Sequence, residues 1–567
     1  MLDQPVFSQY IDDTQSVDPL GTAPSVEALY RSIFPGINNA VEYIRVYSAI
    51  CWMVRQIDIA AKKTRNPDIA AMSAAGLEKI QLLLTWYNIT EEVGGLAGAD
   101  RTWPQDNSRV TLNFESIPGT QTAKRLAVDP DYEVRDGGAH FLTAPQYRPS
   151  LVRGMRFLAE VPALPGTYRL TPAGEALADG YEEAIEHHER RDWLASVTQV
   201  TVRRDDMLQL GEMLDLREPS EGEIAAFVSQ FYSEDGEGVT GAQWQNRWAG
   251  LTLALRAMEA EQPQAREAGW RGVPLDTVRF TMARGYSLAG TLLNLDEIEE
   301  VQGWWANLQL RQYLRLAMET LGRYVQFWIH DAVVNEHPRD IADCAQGLGA
   351  RLEATLREEC QDGTVGVLAD QLLVLKGEHS TFFEASPYVK ELRLEDMLTR
   401  LQAVCNFHPH TEEARLALRE VYVALVYCAV EAENLLVNPY VEQEYANDRV
   451  PLTALRDVLA KYRDEAPATF LAHIVQFYVI LLHFAVVQER TNDGRNRFFF
   501  ILGDNGLERV TTKGEVGGVG LMQDRLYHAM LLLTQCGLVQ RFDDNTYGLT
   551  KAGRKRLRGT ERGAQAA

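Results

Sequence analysis

The side chains able to do chemistry stand apart from one another. His408-x-His410 with Glu412 and Glu413 combines imidazoles and carboxylates, the types that hold a transition metal. A loop entering a helix explains the same residues without a metal, because acids are favoured in a helix's first turn. Glu186-His187-His188-Glu189 sits at a charged helix end and reads as solvated. His330 and Asp331 are adjacent on a helix and therefore point to different faces, so spacing gives no dyad. Glu431 and Glu433 interrupt an apolar helix two residues apart, again without a shared face, so paired-carboxylate catalysis has no support. GxxxxGK[ST], HExxH and GxSxG are all absent, and Gly514 to Gly520 (GEVGGVG) lacks the Lys-Ser/Thr of a phosphate loop. No catalytic set, cofactor or metal is expected.

Charge is more informative. The 567-residue chain carries a net charge of −23, yet from Thr491 onward there are 12 basic and 8 acidic residues, a local +4 that leaves −27 for the rest. Contact with a polyanion must therefore be local, and Lys551, Arg554, Lys555, Arg556, Arg558 and Arg562 are concentrated enough for three to five phosphate contacts. A solvated tail, or one balancing an acidic protein surface, explains the same residues.

Length predicts three or four domains, and 46% hydrophobic with 24% charged residues is ordinary globular composition. Cys51, Cys344, Cys360, Cys405, Cys428 and Cys536 form no CxxC pair, so a reduced cytoplasmic setting is expected, and MLDQPVFSQYIDDTQSVD lacks the features of an export signal. Residues 467–488 are uncharged and long enough to span a bilayer. Thr469, His473, Gln476 and His483 mark a polar seam, however, which favours a buried core helix, satisfied histidines and no membrane.

The expected fold class is mainly α. Residues 1–146 form a helical region with long loops over 94–147 and a short strand at 110–114. Tyr43, Val46, Tyr47, Ile50 and Val54 line the buried side of its main helix. Residues 147–190 read as helix, hairpin and helix, and 191–490 as an α-helical body. In that body Ser220 and Glu223 form a capping box, and a long amphipathic helix covers 295–334. The aromatics Trp304, Trp305, Tyr313, Tyr324, Phe327 and Trp328 could stack bases, but their helical spacing favours core packing. Residues 491–567 open with a strand candidate at 497–502.

The end of the chain carries the one structured motif. An apolar helix at 526–534 stops at Cys536-Gly537, strands 538–542 and 546–549 pair across an Asp-Asp-Asn turn, and Thr550 caps a last basic helix. Gly537-Leu538-Val539 followed by Tyr547-Gly548-Leu549-Thr550-Lys551-Ala552-Gly553 resembles the winged-helix DNA-binding family. Tyr168-Arg169-Leu170-Thr171-Pro172-Ala173-Gly174, after a helix at 151–159, is a second copy in which a stretch with Pro162 and Pro165 replaces Gly-Leu-Val. The resemblance implies winged-helix-like modules at 491–567 and near 147–190. In the recognition helix of the former, Gln523, Arg525 and His528 are the groups able to reach DNA. That set is thin for base readout, so backbone contact is expected.

Leu29-Tyr30-Arg31-Ser32-Ile33-Phe34-Pro35-Gly36, Tyr43-Ile44-Arg45-Val46-Tyr47, Trp52 and Trp304-Trp305 are similar to uncharacterised bacterial helical proteins of phage-defence and mobile-element loci. Together the two resemblances imply a non-enzymatic scaffold that recruits DNA or acts as adaptor in a multi-protein complex. Its acidic body would meet a basic partner or an ATPase, helicase or nuclease subunit. Two alternatives stay open: a kleisin-like bridge to an SMC-type ATPase, and a nuclease or hydrolase whose site forms only in three dimensions. A pocket uniting His330, His408 or Glu431 with further acids would favour the latter.

Overall fold

The computed structural model describes residues 18–65, 67–96, 106–107, 109–116, 123–128, 147–197, 200–233, 242–335, 340–358, 363–377, 383–384, 391–408, 411–441, 449–490, 498–504, 506–510, 518–521 and 524–564. The chain is mainly helical, with a few short strands. It forms two compact units. One comprises Met1–Tyr30 with Arg256–Met522, the other Arg31–Leu255 with Gln523–Ala567. Residues 191–490 are thus divided between the units, and both helix–hairpin–helix segments fall in the second.

The axis of that second unit is the helix Ile44–Lys63. The expected apolar side is only part of what it buries: Arg45, Ser48, Cys51, Trp52 and Met53 are also enclosed. The helices Ile69–Thr90, Pro172–Ile185 and Glu221–Phe231 pack around it. Arg45 is accommodated because Glu223 reaches it at 2.8 Å, with the carbonyl oxygens of Glu212 and Asp215 at 3.1 and 2.8 Å. Ser48 donates its hydroxyl to the same carboxylate. The capping box is present, since Ser220 Oγ accepts from the Glu223 N–H and Glu223 accepts from the Ser220 N–H. Glu223 therefore serves both a helix terminus and a buried cation. The expected strand is found as Arg109–Ser116, lying between Ala123–Val128 and Val200–Arg203 in an antiparallel sheet with Val110 opposite both Val128 and Val202. Most of the loops expected over 94–147 lie outside the described residues.

In the first unit, the helices Glu299–Asn335 and Glu412–Leu436 pack together, and Leu314, Leu321, Val421 and Leu425 are among the residues of their core. Trp305, Tyr313, Tyr324 and Trp328 are buried there, in keeping with packing and not base stacking, while Trp304 and Phe327 are half-buried. The strand candidate near 497–502 is Phe500–Gly503, paired with Gly506–Arg509.

The apolar stretch is α-helical from Pro467 to Ile474, relaxes into a π-helical turn at Val475–Ile480, and continues over Leu481–Arg490. It is the one described segment long and apolar enough to cross a membrane, and half of its most apolar window is buried inside the unit. His483 is a satisfied core histidine: Nε2 accepts from the Phe499 N–H at 3.2 Å, so Nδ1 carries the proton and donates to the Pro19 carbonyl at 3.1 Å. His473 is half-buried against the rings of Tyr462 and Phe477, and Phe477 itself is exposed.

Candidate functional site

The two helix–hairpin–helix segments are built on one plan. In the C-terminal one, the helix Arg525–Gln535 ends at Gly537 with φ +68°, and Val539–Arg541 pairs with Thr546–Leu549. Thr550 Oγ1 then donates to the carbonyls of Gly537 and Leu538 at 2.7 and 3.1 Å while accepting the Gly553 N–H at 3.0 Å. In the earlier one, Arg156 takes the corner at φ +55°, and Leu158–Glu160 pairs with Tyr168–Leu170. Thr171 Oγ1 donates to the carbonyls of Arg156 and Phe157 at 2.7 and 3.1 Å and accepts the Gly174 N–H at 3.1 Å.

The two glycines have one physical cause. A Cβ on Gly174 would lie 2.1 Å from the Phe157 carbonyl oxygen, and one on Gly553 would lie 2.2 Å from that of Leu538. The expected helix over 151–159 is therefore corrected to a π-helical turn at Pro149–Gly154 followed by a strand. Arg156-Phe157-Leu158 stands where the other copy has Gly-Leu-Val, and Pro162 and Pro165 belong to the hairpin loop.

Both copies hold the start of the axial helix. The Tyr147 hydroxyl accepts the N–H groups of Glu42 and Tyr43 at 3.0 and 3.1 Å, and Gln535 Oε1 accepts that of Ile44 at 2.7 Å. Three N–H groups at a helix entrance, where no earlier carbonyl is available, are thus satisfied from elsewhere in the chain.

This docking decides the fate of the expected DNA-contacting residues. No residue of Arg525–Gln535 is exposed, and Arg525 and His528 retain 6% and 8% of their surface. His528 Nδ1 stands 3.7 Å from Glu42 Oε1. Burial lowers the His528 pKa and raises that of Glu42, an effect Arg541 partly counters at Glu42. Arg525 and His528 are buried, which is at odds with the expected DNA contact, and His528 lies against Glu42. Gln523 and Arg562 lie outside the residues whose side chains are described.

The terminal helix Lys551–Ala564 differs. Gly553 and Leu557 form its inner side, while Lys551, Lys555 and Arg558 are exposed and Arg554 is partly so. Arg556 donates to the Tyr232 carbonyl oxygen and lies 5.4 Å from the centre of that ring, which makes it an anchor. In the earlier copy the corresponding helix is acidic, and Glu175, Asp179 and Glu182 surround Arg55.

The other chemistry-bearing residues stay apart. His408, Glu412 and Glu413 are exposed, and Arg415 pairs with Glu412. His410 and the His330 side chain lie outside what is described. His187 is exposed, while His188 is tied to backbone, its Nε2 to the Gln209 carbonyl and its Nδ1 to the Arg190 N–H, both at 3.1 Å. No group of three potential metal ligands occurs among the described residues. Glu433 is exposed, but Glu431 lines a cavity of about 190 Å³ together with Arg284, Gln302 and Gln309. That cavity contains one carboxylate and no histidine. No local pattern marks it, because its lining joins residues 280–313 to Leu394 and residues 427–438. Comparison with protein families, with curated proteins and with solved structures finds no match to the chain.

Proposed function

We propose that the protein is a non-enzymatic adaptor that grips DNA backbone with the outer face of the helix Lys551–Ala564. Its acidic body would engage a basic protein partner or an ATPase, helicase or nuclease subunit of a bacterial defence or DNA-processing complex in the cytoplasm. The observation that carries this reading is the placement of Lys551, Arg554, Lys555 and Arg558 on the side opposite Gly553 and Leu557, in a chain of net charge −23. Cations spaced three and four residues apart share a helix face and can follow a phosphate chain.

The C-terminal helix, hairpin and helix are read as a winged-helix-like module, and Tyr147–Ile185 as its second copy. In such a module the helix before the hairpin reads bases. Here that helix is enclosed, and Asp543 and Asp544 at the hairpin tip would repel phosphate, so binding is sequence-independent and rests on the last helix. A kleisin-like bridge needs two modules free to engage separate sites, whereas both are pinned to the start of one helix. The hydrolase alternative required acids or histidines around Glu431, and Arg284 and four carboxamides line that cavity instead.

The test is fluorescence anisotropy of a random-sequence duplex with the full chain and with the Arg554→Ala, Lys555→Ala, Arg558→Ala variant. Binding by the wild type that falls at least ~10-fold in the variant, equally for unrelated sequences, is expected. Equal binding by both proteins would overturn the assignment.

A further inference from the structure

Residues 518–521 lie as a strap on the helical body of the Arg256–Met522 segment. Val519 and Leu521 pack against its core while Gly518 and Gly520 are exposed, the alternation of an extended chain. Side chains of the body bond the strap's backbone. Asn406 Nδ2 donates to the Val519 carbonyl and its Oδ1 accepts the Val519 N–H, both at 2.9 Å. At the next carbonyl, that of Gly520, Arg315 Nη1 donates at 2.9 Å. Two residues after Leu521 the chain returns to the second unit at Gln523, so the strap anchors the tether of the C-terminal helix, hairpin and helix.

Arg315 joins the strap to a buried charge. Its Nη2 lies 2.8 Å from Glu319 Oε1 and 3.0 Å from Oε2. Arg315, Glu319 and the neighbouring Asp18 retain 5%, 7% and 6% of their surface. Two enclosed carboxylates against one guanidinium leave a negative charge over, and a buried group relieves such a charge by taking up a proton. Burial pushes the Glu319 carboxyl up to about 7 from an ordinary 4.5; Arg315 opposes the rise and Asp18 adds to it. Among the described residues the other titratable group coupled to Glu319 is Cys405, at the end of the helix Met397–Val404, whose thiol burial raises and Arg323 lowers.

We propose that residues 518–521 form a proton-linked latch, closed while the Asp18–Arg315–Glu319 cluster holds a proton and released as that proton leaves above neutral pH. One guanidinium bonds both the Gly520 carbonyl and the Glu319 carboxylate, so water that replaces the strap on Arg315 also hydrates Glu319. Hydration returns the carboxyl to its ordinary range. The closed state then binds the proton more tightly than the open one, and acid favours closure. The latch does not include the terminal helix, so its failure or success leaves the nucleic-acid reading untouched.

The experiment is hydrogen exchange of the full chain without DNA, read by mass spectrometry at the Val519 N–H and divided by the intrinsic exchange rate at each pH. Protection is expected to be ~10-fold greater at pH 6 than at pH 8, the ratio given by a carboxyl at about 7 closed and 4.5 open. Glu319→Gln, which cannot ionise, should hold protection within about two-fold across that range. Asp18→Asn removes the neighbouring negative charge and leaves Glu319 in place, so the change should shift to lower pH and the ratio between pH 6 and pH 8 should shrink. Wild-type protection that is equal at the two pH values, or greater at pH 8, overturns the proposal. So does a Glu319→Gln protein that keeps the full ratio, or an Asp18→Asn protein in which the ratio is unchanged.

Discussion

Replacing Arg156 by glycine should stabilise the protein, an uncommon outcome for a substitution that deletes a whole side chain. Arg156 occupies the left-handed region at φ +55°, its side chain is exposed, and no contact of that side chain holds the corner. An L-residue there costs about 1–2 kcal/mol. Glycine removes that cost but loses about 0.5–1 kcal/mol through its greater freedom in the unfolded chain. The net expectation is a gain of about 0.5–1 kcal/mol. Gly537, at φ +68° in the other copy, provides the reciprocal experiment. An added Cβ there meets no atom within 4 Å, so Gly537→Ala should cost about 1 kcal/mol from backbone conformation alone. Both changes are read as shifts in the midpoint of guanidinium unfolding at unchanged slope. A lowered midpoint for Arg156→Gly, or an unmoved one for Gly537→Ala, would refute the equivalence of the two corners.

Glu223→Ala should be far more damaging, about 3–5 kcal/mol, because it strands the enclosed Arg45 guanidinium; replacing Arg45 and Glu223 together by Met and Leu should recover much of that loss in the same unfolding assay. Burial lowers the His483 pKa to about 4 from an ordinary 6.5, so between those values the unfolded chain takes up a proton that the folded chain refuses. Stability should therefore fall by about 3 kcal/mol as pH drops from 6.5 to 4 and level off below. In His483→Asn that His-dependent slope should vanish, and a slope equal to the wild type's would contradict the assignment. Arg525→Ala should lower the unfolding midpoint while leaving DNA affinity within about two-fold, since the side chain is buried. A uniform loss of affinity in anisotropy measurements would show that the helix is reached by DNA after all.

What could be read from the sequence followed the range of the forces involved. The C-terminal hairpin was legible because each part has a local cause: glycine at a left-handed corner, an Asx-rich turn, and a threonine three residues before Gly553. The capping box at Ser220 was legible for the same reason. The earlier copy was misread at its corner because arginine there hides the glycine signal, which moved the expected helix onto residues that form a strand. Burial on all sides of Ile44–Lys63 was not legible either. Arg45 and Ser48 look like a solvent face until Glu223 arrives from 178 residues away. His528 looks accessible in the sequence until Glu42, from the other end of the chain, is brought against it, while Gln535 meets Ile44 across 491 positions. Side chains whose surroundings are set by such distant partners leave no periodic trace.

The central claim is that four cations on one face of the last helix neutralise DNA phosphates. Its most direct test is the salt dependence of the association constant for a random duplex. Four contacts predict a slope of log K against log salt of about −3.6 for the wild type, and removing Arg554, Lys555 and Arg558 should flatten it by about 2.7. A slope that the triple substitution leaves unchanged would contradict the account.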